Sequence, residues 1–175
     1  EGNYEQALEE AKQGLAQAEQ HPQLQFEAGM ACLLLKRSTE AETYLTRATQ
    51  LDNSYYEPHY ELGWLYNDLE KFANAIPYLE KAGVLGNNEY PVVYTELAYA
   101  YKKLQKYKEA ADAYGKYLNI VPSNHKIWYE MGYMSIDAGL SEQAVKALGK
   151  AIEIDPDYTD AYYERGYSLK QLGKY

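Results

Sequence analysis

Cysteine occurs once in the 175 residues, which excludes an intrachain disulfide and any cysteine-based metal site. A lone thiol suits a reducing compartment, and a cytoplasmic location is favoured on that ground. Long hydrophobic runs are also missing. No apolar stretch approaches the roughly 18 residues of a membrane span, so membrane insertion is not expected. Basic residues are outnumbered, with 17 Lys and Arg against 26 Asp and Glu and a formal charge of −9. Affinity for nucleic acid comes from cations that neutralise phosphates, so this balance argues against a nucleic-acid partner. It argues equally against anionic membrane surfaces and leaves a basic or neutral protein partner open. Phe and Trp occur only twice each, whereas Tyr occurs 21 times. Tyrosine fits half-buried surface, where the ring packs while the hydroxyl stays wet. The chain has no initiator Met and no signal-peptide pattern, so processed or missing ends stay open.

What the sequence does contain is a period. Five glutamates, Glu27, Glu61, Glu96, Glu130 and Glu164, are spaced 34, 35, 34 and 34 residues apart. A series of small residues keeps step: Ala7, Ala41, Ala75, Ala110 and Ala144. So does a second one: Gly29, Gly63, Ala98, Gly132 and Gly166. Self-similarity of this length is the signature of a stacked repeat. Each period reads as two helices. The stretches 59–69 and 126–138 lack proline and carry apolar residues at helical spacing. Asx and Pro breaks such as Asp52-Asn-Ser and Asp155-Pro-Asp separate one helix from the next. Short turns such as Ala138-Gly-Leu-Ser141 leave room only for antiparallel helical hairpins.

At 100° per residue the first helix of each period sorts into two faces. In the period starting at His125, Trp128, Met131, Gly132 and Ser135 share one arc, which is expected to form the core. Lys126, Tyr129, Glu130, Tyr133, Ile136 and Asp137 share the opposite arc, left for solvent or a ligand.

These small, large and proline positions resemble the tetratricopeptide repeat (TPR). The stretch from His125 to Tyr158 carries Trp128, Met131, Gly132, Gly139, Ala144, Leu148, Ala151 and Pro156; the stretch from Pro91 to Asn124 adds Tyr94, Leu97, Ala98, Tyr101, Tyr107, Ala110, Tyr114 and Pro122. The resemblance covers the whole chain as a single array: a second helix at 1–21, full repeats at 22–55, 56–90, 91–124 and 125–158, and a first helix at 159–175. It implies an all-α, right-handed α-solenoid of helix-turn-helix repeats, with first helices lining a concave groove. Several positions depart from the pattern. Asn53 and Asn87 stand where proline is usual, and Tyr117 replaces a small residue, so packing there should be looser or shifted. Cys32 is expected to be a buried, inert small hydrophobe. Arg165 falls on the core arc, where a buried guanidinium is costly, and is expected to reach an edge. The final helix, 160–172, lacks the polar capping helix of the family; missing residues, excision and end-to-end pairing of copies are all open.

Chemistry-bearing constellations are absent from the sequence. His21, His59 and His125 have no ligand at metal-site spacing, and His59 is expected to be a packed ring. No phosphate loop or nucleophile elbow is present, and glutamates at repeat spacing do not suggest an acid–base pair. No enzyme activity, metal or cofactor is expected. The groove, by contrast, collects Phe26, Met30, Tyr60, Trp64, Tyr99, Tyr129, Tyr133, Tyr163 and Tyr167, interleaved with the five glutamates and with Glu57, Asp68, Asp137 and Asp160. Against nine acids it has four lysines, Lys102, Lys103, Lys126 and Lys170. The resemblance includes chaperone-binding members that grip an acidic tail with basic residues on this face; here glutamates occupy those places. The expected ligand is therefore a basic or neutral protein or peptide, extended or helical, held by carboxylates and by aromatic stacking. The same rings could equally pack between helices. A regulatory domain of a larger enzyme and a self-associating assembly unit, a homo-oligomer through open ends, are the alternatives.

Overall fold

The computed structural model describes residues 2–86 and 88–174. Among these residues there are ten α-helices and no strand: α1 (Tyr4–Gln17), α2 (Pro22–Leu34), α3 (Ser38–Leu51), α4 (Tyr56–Asp68), α5 (Phe72–Leu85), α6 (Val92–Lys103), α7 (Tyr107–Ile120), α8 (His125–Asp137), α9 (Ser141–Ile154) and α10 (Thr159–Gln171). They fall into two compact units, residues 1–87 with α1–α5 and residues 88–175 with α6–α10. The first helices start slightly earlier than the sequence pattern marks: α4 at Tyr56, α8 at His125 and α10 at Thr159.

Local chemistry sets the helix ends. The Asn3 and Asn124 side chains accept from the backbone amides of Gln6 and Ile127, each at 3.3 Å, and satisfy donors that a helix start leaves free. Hairpin turns close in one repeated way. Lys36, Glu70, Gln105, Gly139 and Gly173 all have positive φ, between 56° and 73°, at the repeat spacing. At each, the next residue's amide bonds back across the helix end, as Lys71 N does to Tyr66 O at 2.8 Å and Leu140 N to Ser135 O at 2.8 Å. This is the left-handed helix stop that glycine favours, yet three of the five positions are not glycine. At Asn53 the missing proline is replaced by an Asx turn: Asp52 Oδ1 accepts from Ser54 N at 2.9 Å and from Ser54 Oγ at 2.6 Å. Asn87 lies outside the described residues.

Within each hairpin the small residues let the helices touch. A Cβ placed on Gly29 would sit 2.7 Å from Leu45 Cγ, and one on Gly132 would sit 2.6 Å from Leu148 Cγ. Both leucines are fully buried. Cys32 is fully buried, and burial raises its thiol pKa, which suits an inert packing role. His59 is buried with its ring 6.1 Å from that of Tyr78. Tyr117 is half-buried, and its hydroxyl accepts from Asn124 Nδ2 at 3.1 Å.

Two expectations from the helical wheel need correction. In α8 the fully buried residues are Gly132, Met134 and Ser135, while Trp128 and Met131 stay half-exposed. Trp128 does pack against a core of Ala144, Leu148, Ala151 and Ala161, as expected, but Tyr129 and Ile136, assigned to the open arc, pack against the same core. The wheel of one helix sees one neighbour, whereas α8 packs against both α7 and α9, with Ala161 of α10 joining the core beside Tyr129.

Candidate functional site

In the first unit, α2 carries Phe26 and Glu27, and α4 carries Tyr60, Glu61 and Trp64. Phe26 meets Tyr55 edge-on at 5.3 Å, and Tyr60 stacks on Tyr56 at 6.0 Å, so both rings are partly committed to packing. Glu27 is exposed. Between the two helices lies a cleft of about 290 Å³ lined by Met30, Leu33, Leu34, Tyr60, Glu61 and Trp64. Leu34 is 52% exposed and Trp64 40%, so the cleft is open to solvent with apolar walls. Glu61 is half-buried among these walls, and burial alone pushes its carboxyl pKa up. No hydrogen bond or ion pair reaches it among the described residues.

Leu33 and Leu34 escaped the sequence reading of the groove. A signal was available. Leu34 stands seven residues after Glu27, where Asp68, Lys103, Asp137 and Gln171 stand after the other four glutamates. One apolar residue in an otherwise polar register marks the repeat with the cleft.

The second unit treats its glutamates differently. Glu96 and Glu130 are half-buried, and the Glu130 carboxylate pairs with Lys102 Nζ at 3.3 Å. Both also act on Tyr114 of α7, whose hydroxyl pKa is raised first by burial and then by these two carboxylates. Tyr129 packs between Tyr158, at 5.0 Å, and Tyr133, at 6.2 Å. Its pKa is pushed up to about 12 by burial first, then by Glu164, Tyr158, Asp160 and Glu130. Tyr99, Tyr133, Tyr163 and Tyr167 are exposed, Tyr163 most of all at 74%, and Glu164 is half-buried. The Lys103 ammonium sits 5.3 Å over the Tyr99 ring. The structure thus brings Tyr60, Glu61 and Trp64 together in one cleft and leaves Tyr163 and Tyr167 as open rings on α10.

Among the described residues no group of three or more His, Cys, Asp or Glu side chains is placed to hold a metal ion. Nor is any helix long and apolar enough to cross a membrane.

Paired antiparallel helices with small contact residues, recurring at 34–35 residues, define an all-α repeat solenoid. A family model described as tetratricopeptide repeat matches residues 1–56, a second of that description matches 56–82 and 92–124, and a TPR repeat model matches 136–173. The chain belongs to the tetratricopeptide repeat family. It is 28% identical over 143 residues to the TPR repeat-containing protein YpiA of Bacillus subtilis (strain 168), a match covering 82% of this chain and 34% of YpiA. The match therefore spans about a third of the length of that relative. Among solved structures it is similar to the MamA protein, with a TM-score of 0.78 at 23% identity, over 91% of this chain and 86% of that one. MamA from Desulfovibrio magneticus RS-1 aligns with a TM-score of 0.73 at 20% identity, over 90% and 88% of the two chains. YrrB, described as a TPR protein with an unusual peptide-binding site, aligns with a TM-score of 0.76 at 22% identity, over 93% and 84%. At these identities the likeness is one of fold. Proteins of this fold typically mediate protein–protein interaction.

Proposed function

We propose that the chain is a non-catalytic interaction module, built of repeats at 22–55, 56–90, 91–124 and 125–158, that binds a basic peptide segment or partner helix. The anchor is the α2/α4 cleft. The observation that carries this reading is Glu61, a half-buried carboxylate on an apolar cleft with no counter-charge among the described residues. A lysine or arginine of a partner supplies that charge, while its aliphatic stem and a neighbouring apolar side chain cover Trp64, Met30 and Leu34. The size of the cleft fits this occupant. At about 290 Å³ it takes a side chain, whereas pockets for drug-sized ligands start near 300 Å³ and run to about 1,000 Å³. Peptide binding by YrrB, a protein of the same fold, is consistent with such a role.

In the second unit Glu96, Tyr99, Tyr133, Tyr163, Glu164 and Tyr167 offer further contacts of the same class, with Tyr129 and Glu130 more committed to internal packing. A second reading, a docking domain within a larger protein, is favoured by the match to only a third of the length of YpiA.

The test is a titration of the chain with lysine-containing amphipathic peptides. Trp64→Ala and Glu61→Gln should each weaken binding by about tenfold or more, the scale of a lost anchor or charge-assisted contact, with the helical circular dichroism unchanged. Equal affinity for wild type and Glu61→Gln would sink the reading.

A further inference from the structure

We infer that the second unit carries a separate site of opposite charge, between α8, α9 and α10, that takes an acidic side chain flanked by apolar residues from a partner peptide. The centre of this site is Arg165. A Cβ on Gly149 would lie 3.8 Å from Arg165 Nε and 3.9 Å from its Cζ, so the guanidinium lies over the glycine of α9. One repeat earlier, 34 residues back, the same geometry holds a different side chain: a Cβ on Gly115 would lie 3.7 Å from Met131 Cε. Arg165 therefore occupies a slot built for a thioether. Arg165 is half-buried, in keeping with the edge position expected of it, but its Nε is drawn inside. Its Nε is buried and makes no hydrogen bond, and no carboxylate pairs with the guanidinium among the described residues.

The space beside it is a cavity of about 580 Å³ whose walls include Trp128, Met131, Lys146, Gly149 and Lys150. One acid, Glu153, also lines it, but that carboxylate is held by Lys150 Nζ at 2.5 Å. The Trp128 indole N–H is likewise engaged, donating to Pro122 O at 2.8 Å, which leaves its ring for apolar contact. With Lys150 and Glu153 answering each other, the lining keeps two cations, Lys146 and Arg165, without a carboxylate partner among the described residues, in a chain whose net charge is −9. A guanidinium whose Nε–H is buried and unused is costly at that atom and favours a carboxylate that can accept from it. The apolar walls select an acid with aliphatic neighbours. The overall negative charge disfavours a polyphosphate chain as the source of the anion. This site does not depend on the Glu61 cleft.

Two labelled probe peptides test it: one with a single aspartate flanked by leucines, and the same peptide with asparagine in its place. The aspartate peptide should bind the wild-type chain at least tenfold more tightly than the asparagine peptide. Its binding should shift the NMR signals of the Trp128 indole and the Gly149 amide. Arg165→Met should abolish the preference while melting at or above the wild-type temperature, because the equivalent slot already accepts Met131. Arg165→Lys should retain part of it. Glu61→Gln should leave it unchanged, which separates this site from the α2/α4 cleft. No binding, equal binding of the two peptides, or a preference that survives Arg165→Met would each overturn the inference, the last pointing to diffuse charge or another anion source.

Discussion

Lys102 of α6 reaches across to Glu130 of α8, with Nζ 3.3 Å from Oε2, so one rung of the glutamate series has its charge answered inside its own unit. Glu61, in the same register, has no such partner among the described residues. Two residues that are equivalent in sequence therefore have different work to do.

Removing the Lys102–Glu130 pair should cost little. The two side chains are 41% and 35% exposed, and pairs this accessible contribute about 0.2–1 kcal/mol. Lys102→Met and Glu130→Gln are expected to lower the melting temperature only slightly, in a manner lessened by salt. Binding of a lysine-containing peptide should fall much less in Glu130→Gln than in Glu61→Gln. Thermal melts at low and high salt, with parallel titrations, check both statements.

Glu61 makes the first unit sensitive to pH in a defined direction. Its carboxyl pKa is raised by burial, so the folded state binds its proton more tightly than the unfolded state does. The sign follows. The contribution is fully favourable below the unfolded carboxylate value near 4.5 and is lost as pH rises through the higher folded value. Glu61→Gln should remove this loss and melt above wild type at neutral pH. Melts of both proteins between acid and neutral pH should diverge as pH increases; parallel curves would contradict the burial of this group. A bound basic peptide should close the gap by keeping the carboxylate charged.

The left-handed turn residues offer a stability test independent of any ligand. Glu70 has φ of 56° at the end of α4, where glycine carries no Cβ penalty. Glu70→Gly is expected to stabilise the first unit by up to about 1 kcal/mol, part of the strain relief being offset by the extra freedom of the unfolded chain. Lys36→Gly and Gln105→Gly should behave alike, whereas Gly139→Ala, at φ of 73°, should destabilise the second unit. Chemical denaturation of the four variants decides the matter.

Much of the fold is legible in the residues because the repeat writes it several times. The spacing of Gly29, Gly63 and Gly132 marks the close helix contacts that Leu45, Leu79 and Leu148 complete. The candidate site is legible only in part. Tyr60, Glu61 and Trp64 can be placed on one helix face by counting, but Leu33 and Leu34 come from the preceding first helix and belong to the cleft only through packing.

The sequence by itself determined the period, the helical hairpins and the positions that must be small, because backbone geometry and helix contact repeat with the chain. The tertiary structure decided which glutamate is paired with Lys102, which is desolvated beside Trp64, and that Arg165 lies over Gly149 with no paired carboxylate among the described residues. Desolvation and counter-charges come from neighbouring helices dozens of residues away, and no pattern along a single helix records them.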